Sequence, residues 1–299
     1  MMKFITLTLS PALDVGYILD KIEKDTTNRA KIWSFSAGGK GINVSRQLKK
    51  LKDRYDDEET GILTVIVTGG NIGGIIENSV TDEKLEPVII KTEGETRINV
   101  SAIGENGETY EINAPGTEYT GREEEITEAV LSGTDENTVV VISGSCPRGI
   151  SDNFYASLTK KVKEKGGIVA MDCDGVQARI ALEGDFPPDI IKPNKEELKR
   201  LVECESEKTD DILKEAEKKY PKTDIITTLG ADGAFLTVTV DGERKTEHLE
   251  SEKVKPKRFK GAGDTFLATY LYAHYAKKIN KRDSVKTAIA EAGKYVSGK

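Results

Sequence analysis

The sequence has few of the residues that build disulfide frameworks and metal centres. Its 299 residues include only three cysteines and two histidines. The cysteines, Cys146, Cys173 and Cys204, lie far apart and form no CxxC pair. We therefore expect neither a structural zinc site nor a set of disulfide bonds.

Long apolar runs are also missing. No segment approaches the ~18 apolar residues of a transmembrane helix, and Met1–Leu9 alternates like a strand, unlike the apolar core of a secretory signal. We therefore expect a cytoplasmic protein with no membrane partner. The formal net charge of −7 argues against a nucleic-acid partner. An anionic small substrate stays possible, because a few basic residues in a cleft act locally.

Strand-like and helix-like segments alternate along most of the chain. The strand-like segments are Phe4–Leu9, Ile62–Val67, Val88–Lys91, Thr138–Ile142, Gly167–Asp172, Asp189–Lys192 and Asp224–Thr228. The helix-like segments are Gly41–Leu51, Asn71–Asn78, Glu123–Leu131, Asp152–Lys165, Asn194–Glu203, Thr209–Lys219 and Asp264–Lys277. This order predicts an α/β fold, with a doubly wound and mostly parallel sheet flanked by helices, in a single domain over residues 1–299.

Two regions break this alternation and predict a second, smaller sheet of antiparallel strands. Residues 97–103 alternate polar and apolar side chains, Asn106-Gly107 favours a hairpin turn, and residues 109–112 continue the pattern. Two more β segments are indicated at 15–19 and 29–35. We expect these regions, about 14–36 and 96–113, to form a lid over a cleft. A hairpin insertion without a function is the alternative.

Two glycine-rich turns lead into predicted helices. The first is Gly38-Gly39-Lys40-Gly41, which does not have the spacing of a Walker A loop. Its glycines would let a ligand approach the backbone closely. Asn43, on the first turn of the helix that follows, could bind a hydroxyl. The alternative for this turn is a tight bend with a capping Asn.

The second turn is Gly261-Ala262-Gly263-Asp264. Its N–H groups can converge on an anion such as a transferring phosphoryl group, and Asp264 could take a proton from a hydroxyl. An ordinary Asp N-cap is the alternative here.

Two weaker motifs follow predicted strands. Asn194 and Glu197, after Lys192-Pro193, have the spacing of a capping box, although the same oxygens could lie beside magnesium. The turn from Thr228 to Gly233 could hold nucleotide phosphates or ribose, or it could be an ordinary hairpin turn.

The order of these four motifs resembles that of the ribokinase-like carbohydrate kinases, the phosphofructokinase B family, from Leu7 to about Ala292. The segments Leu7–Asp14, Gly38–Val44, Thr96–Val100 and Ser143–Pro147 resemble the hexose-phosphate branch. That branch includes 1-phosphofructokinase, tagatose-6-phosphate kinase and a minor 6-phosphofructokinase. The resemblance implies a kinase that uses ATP and Mg²⁺ to phosphorylate fructose 1-phosphate or tagatose 6-phosphate and, as a weaker match, fructose 6-phosphate.

The resemblance also implies a role for each matching residue. The substrate would be bound by Asp14, Gly38, Gly39, Lys40, Asn43, Arg97, Ser145 and Arg29, with Arg97 on the phosphate already present on the sugar. The nucleotide would be bound by Lys192, Asn194, Thr228, Gly230, Gly233 and Lys260, and the metal environment would contain Glu197 and Asp172. Gly261, Ala262 and Gly263 would form the anion hole, and Asp264 would be the general base.

Several positions depart from the family pattern. Phe259-Lys260 replaces a pair such as Thr-Val, and Thr27 stands where the minor 6-phosphofructokinase has a phosphate-binding Lys. The sequence ends at Lys299, whereas the family usually continues with a loop and helix near the adenine. The alternative functions are a kinase of an unphosphorylated sugar or nucleoside, and a regulator that binds sugar or nucleotide without turnover. The expected partners are the sugar phosphate, ATP and a second copy bound through the lid.

Overall fold

A computed structural model describes residues 1–116, 118–119, 121–257 and 260–298. Its strands are β1 Met2–Thr8, β2 Ala12–Leu19, β3 Ile32–Gly38, β4 Thr60–Thr68, β5 Pro87–Lys91, β6 Arg97–Gly104, β7 Thr109–Asn113, β8 Thr138–Ser143, β9 Ile168–Asp172, β10 Ile190–Ile191, β11 Asp224–Thr228, β12 Ala234–Val240 and β13 Glu243–Leu249. Its helices are α1 Lys40–Arg54, α2 Gly70–Asp82, α3 Glu123–Ser132, α4 Phe154–Glu164, α5 Val176–Glu183, α6 Lys195–Val202, α7 Thr209–Lys219, α8 Ala262–Leu271 and α9 Lys281–Ser297. A π-helical turn, Tyr272–Ala276, extends α8.

The large sheet has the order β13-β12-β11-β10-β9-β8-β1-β4-β5. From β11 to β5 neighbouring strands are parallel, and β12 and β13 are antiparallel additions at one edge. Strand β8 is buried along its whole length, as expected for a parallel strand covered on both faces. Helices α3 to α7 pack in one core cluster, and α1, α8 and α9 pack in another. The predicted doubly wound α/β fold is therefore confirmed.

The carboxyl ends of the parallel strands bring distant parts of the sequence together. Strand β1 lies between β4 and β8: the chain adds β4 and β5 on one side of β1 and later β8 to β11 on the other. The strand order therefore reverses at β1, and ligand sites are expected at the adjacent carboxyl edge of the sheet. Asp172 ends β9, Lys192 follows β10, and Thr228 ends β11 at this same edge. The sheet therefore places three of the predicted site residues side by side.

The smaller sheet has the order β3-β2-β6-β7 and confirms the second sheet predicted from the sequence. Strand β2 is antiparallel to β3 but parallel to β6. The expectation of an entirely antiparallel sheet was wrong, because β2 and β6 are separated by β4, α2 and β5 of the main domain rather than by a hairpin. That this sheet acts as a lid, and that residues 1–299 form one domain, stay predictions. Within the described ranges, no helix is long and apolar enough to cross a bilayer.

Candidate active site

A continuous cleft follows the carboxyl edge of the large sheet. Its central pocket, of about 520 Å³, is lined by residues that include Asp14, Asn43, Lys192 and Asp264. A polar pocket of about 290 Å³ adjoins it and shares its walls Gly39, Lys40 and Arg97. An apolar pocket of about 360 Å³ adjoins the other side and shares Thr228, Gly230 and Gly263.

Asp264 lies on the first turn of α8 with only 7% of its surface exposed. The side-chain amide of Asn43 donates a hydrogen bond to its Oδ2, with Nδ2 and Oδ2 separated by 2.8 Å. Burial and the negative charge of Asp172 raise the pKa of Asp264 to about 6, against the opposing effects of Asn43, Lys192 and Lys40. At neutral pH the carboxylate is therefore mostly ionised, yet it binds a proton more strongly than an ordinary Asp does.

The turn before Asp264 is built around glycine. Gly261 has φ +88°, and a Cβ on it would come within 2.7 Å of Tyr295 Oη. Tyr295 on α9 in turn donates a hydrogen bond to the carbonyl of Lys260, with Oη and O separated by 3.0 Å. A Cβ on Gly263 would lie 3.4 Å from Lys192 Nζ. The start of α8 therefore presents backbone N–H groups beside an ammonium group, an arrangement suited to an anion.

Four charged groups, two lysines and two carboxylates, meet in the central pocket. Asp172 is 2% exposed and Lys192 is 4% exposed, and Lys192 Nζ lies 3.2 Å from Asp172 Oδ2. Lys40 Nζ lies 3.3 Å from Asp172 Oδ1 and 3.9 Å from Glu197 Oε1. Burial alone would raise the pKa of Asp172, but the two ammonium groups lower it instead. Burial would likewise lower the pKa of Lys40, but the surrounding carboxylates raise it.

Asp14 projects from β2 at the side of the cleft formed by the smaller sheet. Asn99 donates from Nδ2 to Asp14 Oδ1 at 2.8 Å, and Lys260 Nζ lies 3.3 Å from Oδ2. A Cβ on Gly38 would come within 2.3 Å of the same carboxylate, so a side chain at that position would displace Asp14. The aligned carboxylate and amide form a polar surface that can bind sugar hydroxyls.

Arg97 reaches from β6 toward the polar pocket. Its Nη2 donates to the carbonyl of Ser10 at 3.1 Å, whereas its Nε is buried without a hydrogen-bond partner in the described parts of the chain. Ser143, Gly144 and Ser145, at the end of β8 and just after it, line the same pocket. A guanidinium that lines a pocket is suited to an anionic group on a ligand.

Asn194 and Glu197 form the capping box at the start of α6. The Asn194 side chain accepts from Glu197 N, and the Glu197 side chain accepts from Asn194 N, both at 2.9 Å. Both residues also line the central pocket. Across the described part of the chain, no group of three or more His, Cys, Asp or Glu side chains is arranged to hold a metal ion. Glu197 fits a magnesium ion bound mainly by phosphates and water. Both oxygens of Asp172 lie closer to lysine ammonium groups, at 3.3 and 3.2 Å, than the 3.9 Å that separates Glu197 Oε1 from Lys40.

The apolar pocket lies beyond the start of α8. Its walls come from the turn after β11, the loop after β13, and the facing sides of α8 and α9. Val254, Phe266, Ile289 and Val296 contribute apolar side chains to it. An apolar pocket next to an anion site is suited to a flat ring that carries phosphates.

The structure brings most of the predicted site residues into this cleft. Gly233 and Ala262 line the apolar pocket, and Ser145 lines the polar pocket. Arg29 and Gly38 line none of the three pockets. Arg29 is exposed between β2 and β3, whereas Gly38 is buried at the end of β3, against Asp14. Phe259 lies outside the described residues. The roles assigned to these residues stay predictions.

Asn99 and Arg46 contact predicted site residues but were not themselves predicted from the sequence. Asn99 lies two positions after Arg97 on β6, so strand alternation places both on one face. Arg46 lies one helical turn after Asn43 on α1 and donates to Asn43 Oδ1 at 3.0 Å. The guanidinium is itself held by two hydrogen bonds to the carboxylate of Glu83. Because Asn43 Oδ1 accepts from Arg46, its Nδ2 is directed toward Asp264.

This chain matches a family model, curated protein sequences and solved structures over nearly its full length. Residues 11–297 match the family model described as pfkB family carbohydrate kinase. A tagatose-6-phosphate kinase of Staphylococcus epidermidis is 34% identical over 270 residues, which are 88% of this chain and 83% of that protein. The crystal structure of Escherichia coli phosphofructokinase-2 in complex with fructose-6-phosphate has a TM-score of 0.86 and 26% identity, covering 99% of this chain and 94% of that one. A possible 1-phosphofructokinase of Thermotoga maritima has a TM-score of 0.82 and 26% identity, covering 98% and 92%.

Proposed function

Because the chain belongs to the pfkB family of carbohydrate kinases, we propose that it transfers the γ-phosphoryl group of ATP to a hydroxyl of a ketohexose phosphate. The family resemblance read from the sequence is confirmed by these matches. The similar proteins are named as kinases of tagatose 6-phosphate and as phosphofructokinases. The candidate acceptors are therefore tagatose 6-phosphate, fructose 1-phosphate and fructose 6-phosphate.

The observation that carries this proposal is the pair of cationic side chains, Arg97 and Lys40, that line the polar pocket. The cleft offers cationic groups at two places: Lys192 beside the turn before Asp264, and Arg97 with Lys40 in the polar pocket. The first suits the phosphates of a nucleotide. The second suits a phosphate already on the sugar, since a guanidinium can bind a phosphate through two hydrogen bonds and a neutral sugar offers it no anion. Ser145 is a further contact in this pocket.

In the proposed reaction Asp264 accepts the proton of the attacking hydroxyl. Its pKa of about 6 leaves it mostly ionised at neutral pH, and Asn43 occupies one carboxylate oxygen while the other serves the hydroxyl. Asp14 and Asn99 orient the sugar. The backbone N–H groups at the start of α8 stabilise charge on the transferred group.

The nucleotide is proposed to extend from the central pocket into the apolar pocket. Lys192 and Asn194 would contact its phosphates, and the turn from Thr228 to Gly233 would border its ribose and base. Mg²⁺ would supply partial neutralisation of the phosphate charge. Glu197 would hold the ion directly or through water, with Asp172 as a more distant partner.

The smaller sheet is proposed to close over the sugar and to exclude water, which would otherwise accept the phosphoryl group. Its exposed surface carries large apolar side chains, among them Trp33 at 63% and Ile112 at 68% exposure. Such a patch favours an interface. We propose that two copies of the chain pair through these sheets as a homodimer.

The direct test is ADP release with ATP, Mg²⁺ and a panel of acceptors assayed in parallel. The panel contains tagatose 6-phosphate, fructose 1-phosphate, fructose 6-phosphate, free fructose and ribose. We expect at least one phosphate ester to exceed the free sugars by ~100-fold or more in kcat/KM, because loss of a buried polar contact is costly. A preference for a free sugar would support the unphosphorylated acceptor instead. Binding of sugar and nucleotide without turnover would identify a regulator.

A further inference from the structure

Helix α9 contains a glycine, Gly293, that neither the backbone conformation nor the packing of the helix requires. Gly293 lies inside this helix, which runs from Lys281 to Ser297, and its φ is not positive. A Cβ built on it would meet no heavy atom within 4 Å, so close packing does not require a glycine either. Glycine is among the poorest helix formers, and another residue would therefore favour this helix.

The space beside Gly293 belongs to the apolar pocket. Gly293 lines that pocket together with Ile289, Ala292 and Val296 of the same helix. Because nothing lies within 4 Å of its missing Cβ, a side chain at this position would extend into the pocket. Gly293 thus leaves part of the α9 wall of the apolar pocket as bare helix backbone.

The other walls of the pocket make size the main basis of selection. In the described part of the chain, the apolar pocket is lined by three residues with polar side chains: Thr228, Ser251 and Glu252. The remaining side chains are apolar, so a base would be held mainly by burial and shape. In such pockets a single methylene changes discrimination by ~10–200-fold.

We propose that Gly293 determines which nucleotide bases the protein accepts, because its missing side chain makes room for the two fused rings of a purine against α9. This inference rests on the proposed function, in which the apolar pocket holds the base of ATP. It adds a residue whose size, rather than its hydrogen bonding, sets specificity for the phosphoryl donor.

The chain provides a matched control for this position. Gly74 lies inside α2, a helix that runs from Gly70 to Asp82, and is half-buried like Gly293. A Cβ on Gly74 would also meet no heavy atom within 4 Å, but Gly74 lines none of the three pockets. Substitution at the two positions should affect helix stability alike and nucleotide binding differently.

The test compares Ala and Leu substitutions at both positions by calorimetric binding of ADP, steady-state kinetics and thermal unfolding. We expect Gly293→Leu to raise the Kd for ADP and the KM for ATP at least ~10-fold, with a smaller effect for Gly293→Ala. The KM for CTP, which carries a single-ring base, should rise less. Inhibition by tripolyphosphate, which has no base, and the KM for the sugar phosphate should stay within about twofold.

The stability measurements separate a clash with the base from misfolding. Both Ala variants should raise Tm, by about 1–2 °C, because Ala favours helix over Gly. The inference is wrong if Gly293→Leu binds ADP as the unchanged protein does, if tripolyphosphate inhibition weakens equally, or if Gly74→Leu causes the same loss. If the unchanged protein binds neither ATP nor ADP, the proposed function itself fails, which is a distinguishable result.

Discussion

Replacing Asp264 by Asn should make the protein more stable while removing most of its activity. The folded protein holds this carboxylate at a pKa of about 6 against an ordinary value of 3.8, mainly because the group is buried. Each unit of such a shift corresponds to about 1.4 kcal/mol. The ionised Asp264 therefore costs the folded state roughly 3 kcal/mol at pH 8, and a neutral amide at this position would not carry this cost.

The pH dependence of this gain has a defined sign. Between pH 3.8 and about 6 the folded state retains a proton that the unfolded state has lost, so stability falls as the pH rises through this window. The advantage of Asp264→Asn should be about 3 kcal/mol at pH 8 and about 1 kcal/mol at pH 4.5. For a chain of this length the gain at pH 8 corresponds to a Tm increase of about 5 °C.

The assay pairs unfolding curves at both pH values with ADP-release kinetics. We expect kcat to fall by ~10²–10⁴-fold, while ADP affinity changes by less than about threefold. Asp57→Asn is the control, because it should change the stability in the opposite direction. Burial alone would raise the pKa of Asp57, but hydrogen bonds from Tyr272 and Lys277 lower it to about 2, and Asp57 lines none of the three pockets.

The control variant should lose stability, because it gives up a favourable ionised state, and should keep its kcat. Two results would refute the reasoning about Asp264. One is turnover close to that of the unchanged protein in Asp264→Asn, and the other is a lower Tm at pH 8.

Three further predictions concern the same cleft. The pH profile of kcat/KM, which reports the ligand-free enzyme, should have an acid limb near pH 6 set by ionisation of Asp264; a flat profile from pH 5 to 8 would exclude this. Lys192→Met should destabilise the protein by roughly 3–5 kcal/mol in urea unfolding, because it removes a partner of the buried Asp172, and Asp172→Asn should recover part of the loss. Arg46→Met should lower kcat in the unchanged protein, but it should lower kcat only slightly in a protein that already carries Asn43→Ala, because Arg46 acts by positioning Asn43. Losses that add in the double variant would show that Arg46 acts independently of Asn43.

Elements with strong local signals could be predicted from the sequence. The bounds of β11 and α7 agree with the predicted segments, Asp224–Thr228 and Thr209–Lys219. Four consecutive β-branched residues, Ile225 to Thr228, favour the strand, and a continuous amphipathic pattern favours the helix. The turn before Asp264 was also located, because its glycines identify a helix start without any long-range information.

Elements that depend on distant partners could not be predicted. Strand β13 is mostly charged, and it forms because β12 provides an antiparallel neighbour at the exposed edge of the sheet. Helices α5 and α9 were also not predicted.

Parts of the site were missed for the same reason. Asn99 binds Asp14 because the register of β2 and β6 places the two residues opposite each other. Asn43 and Asp264 meet across 221 positions of sequence. Local patterns indicate chemistry at each residue, but the sheet determines which residues meet.

The measurement that tests the account most directly is the ratio of kcat/KM for the best ketohexose phosphate to that for free fructose. It should be determined in the unchanged protein and in Arg97→Ala. We predict a ratio of at least ~100 that collapses in the variant through a higher KM for the phosphate ester, while the value for free fructose does not change. A ratio near one in the unchanged protein, or a ratio that survives the loss of Arg97, would contradict the account.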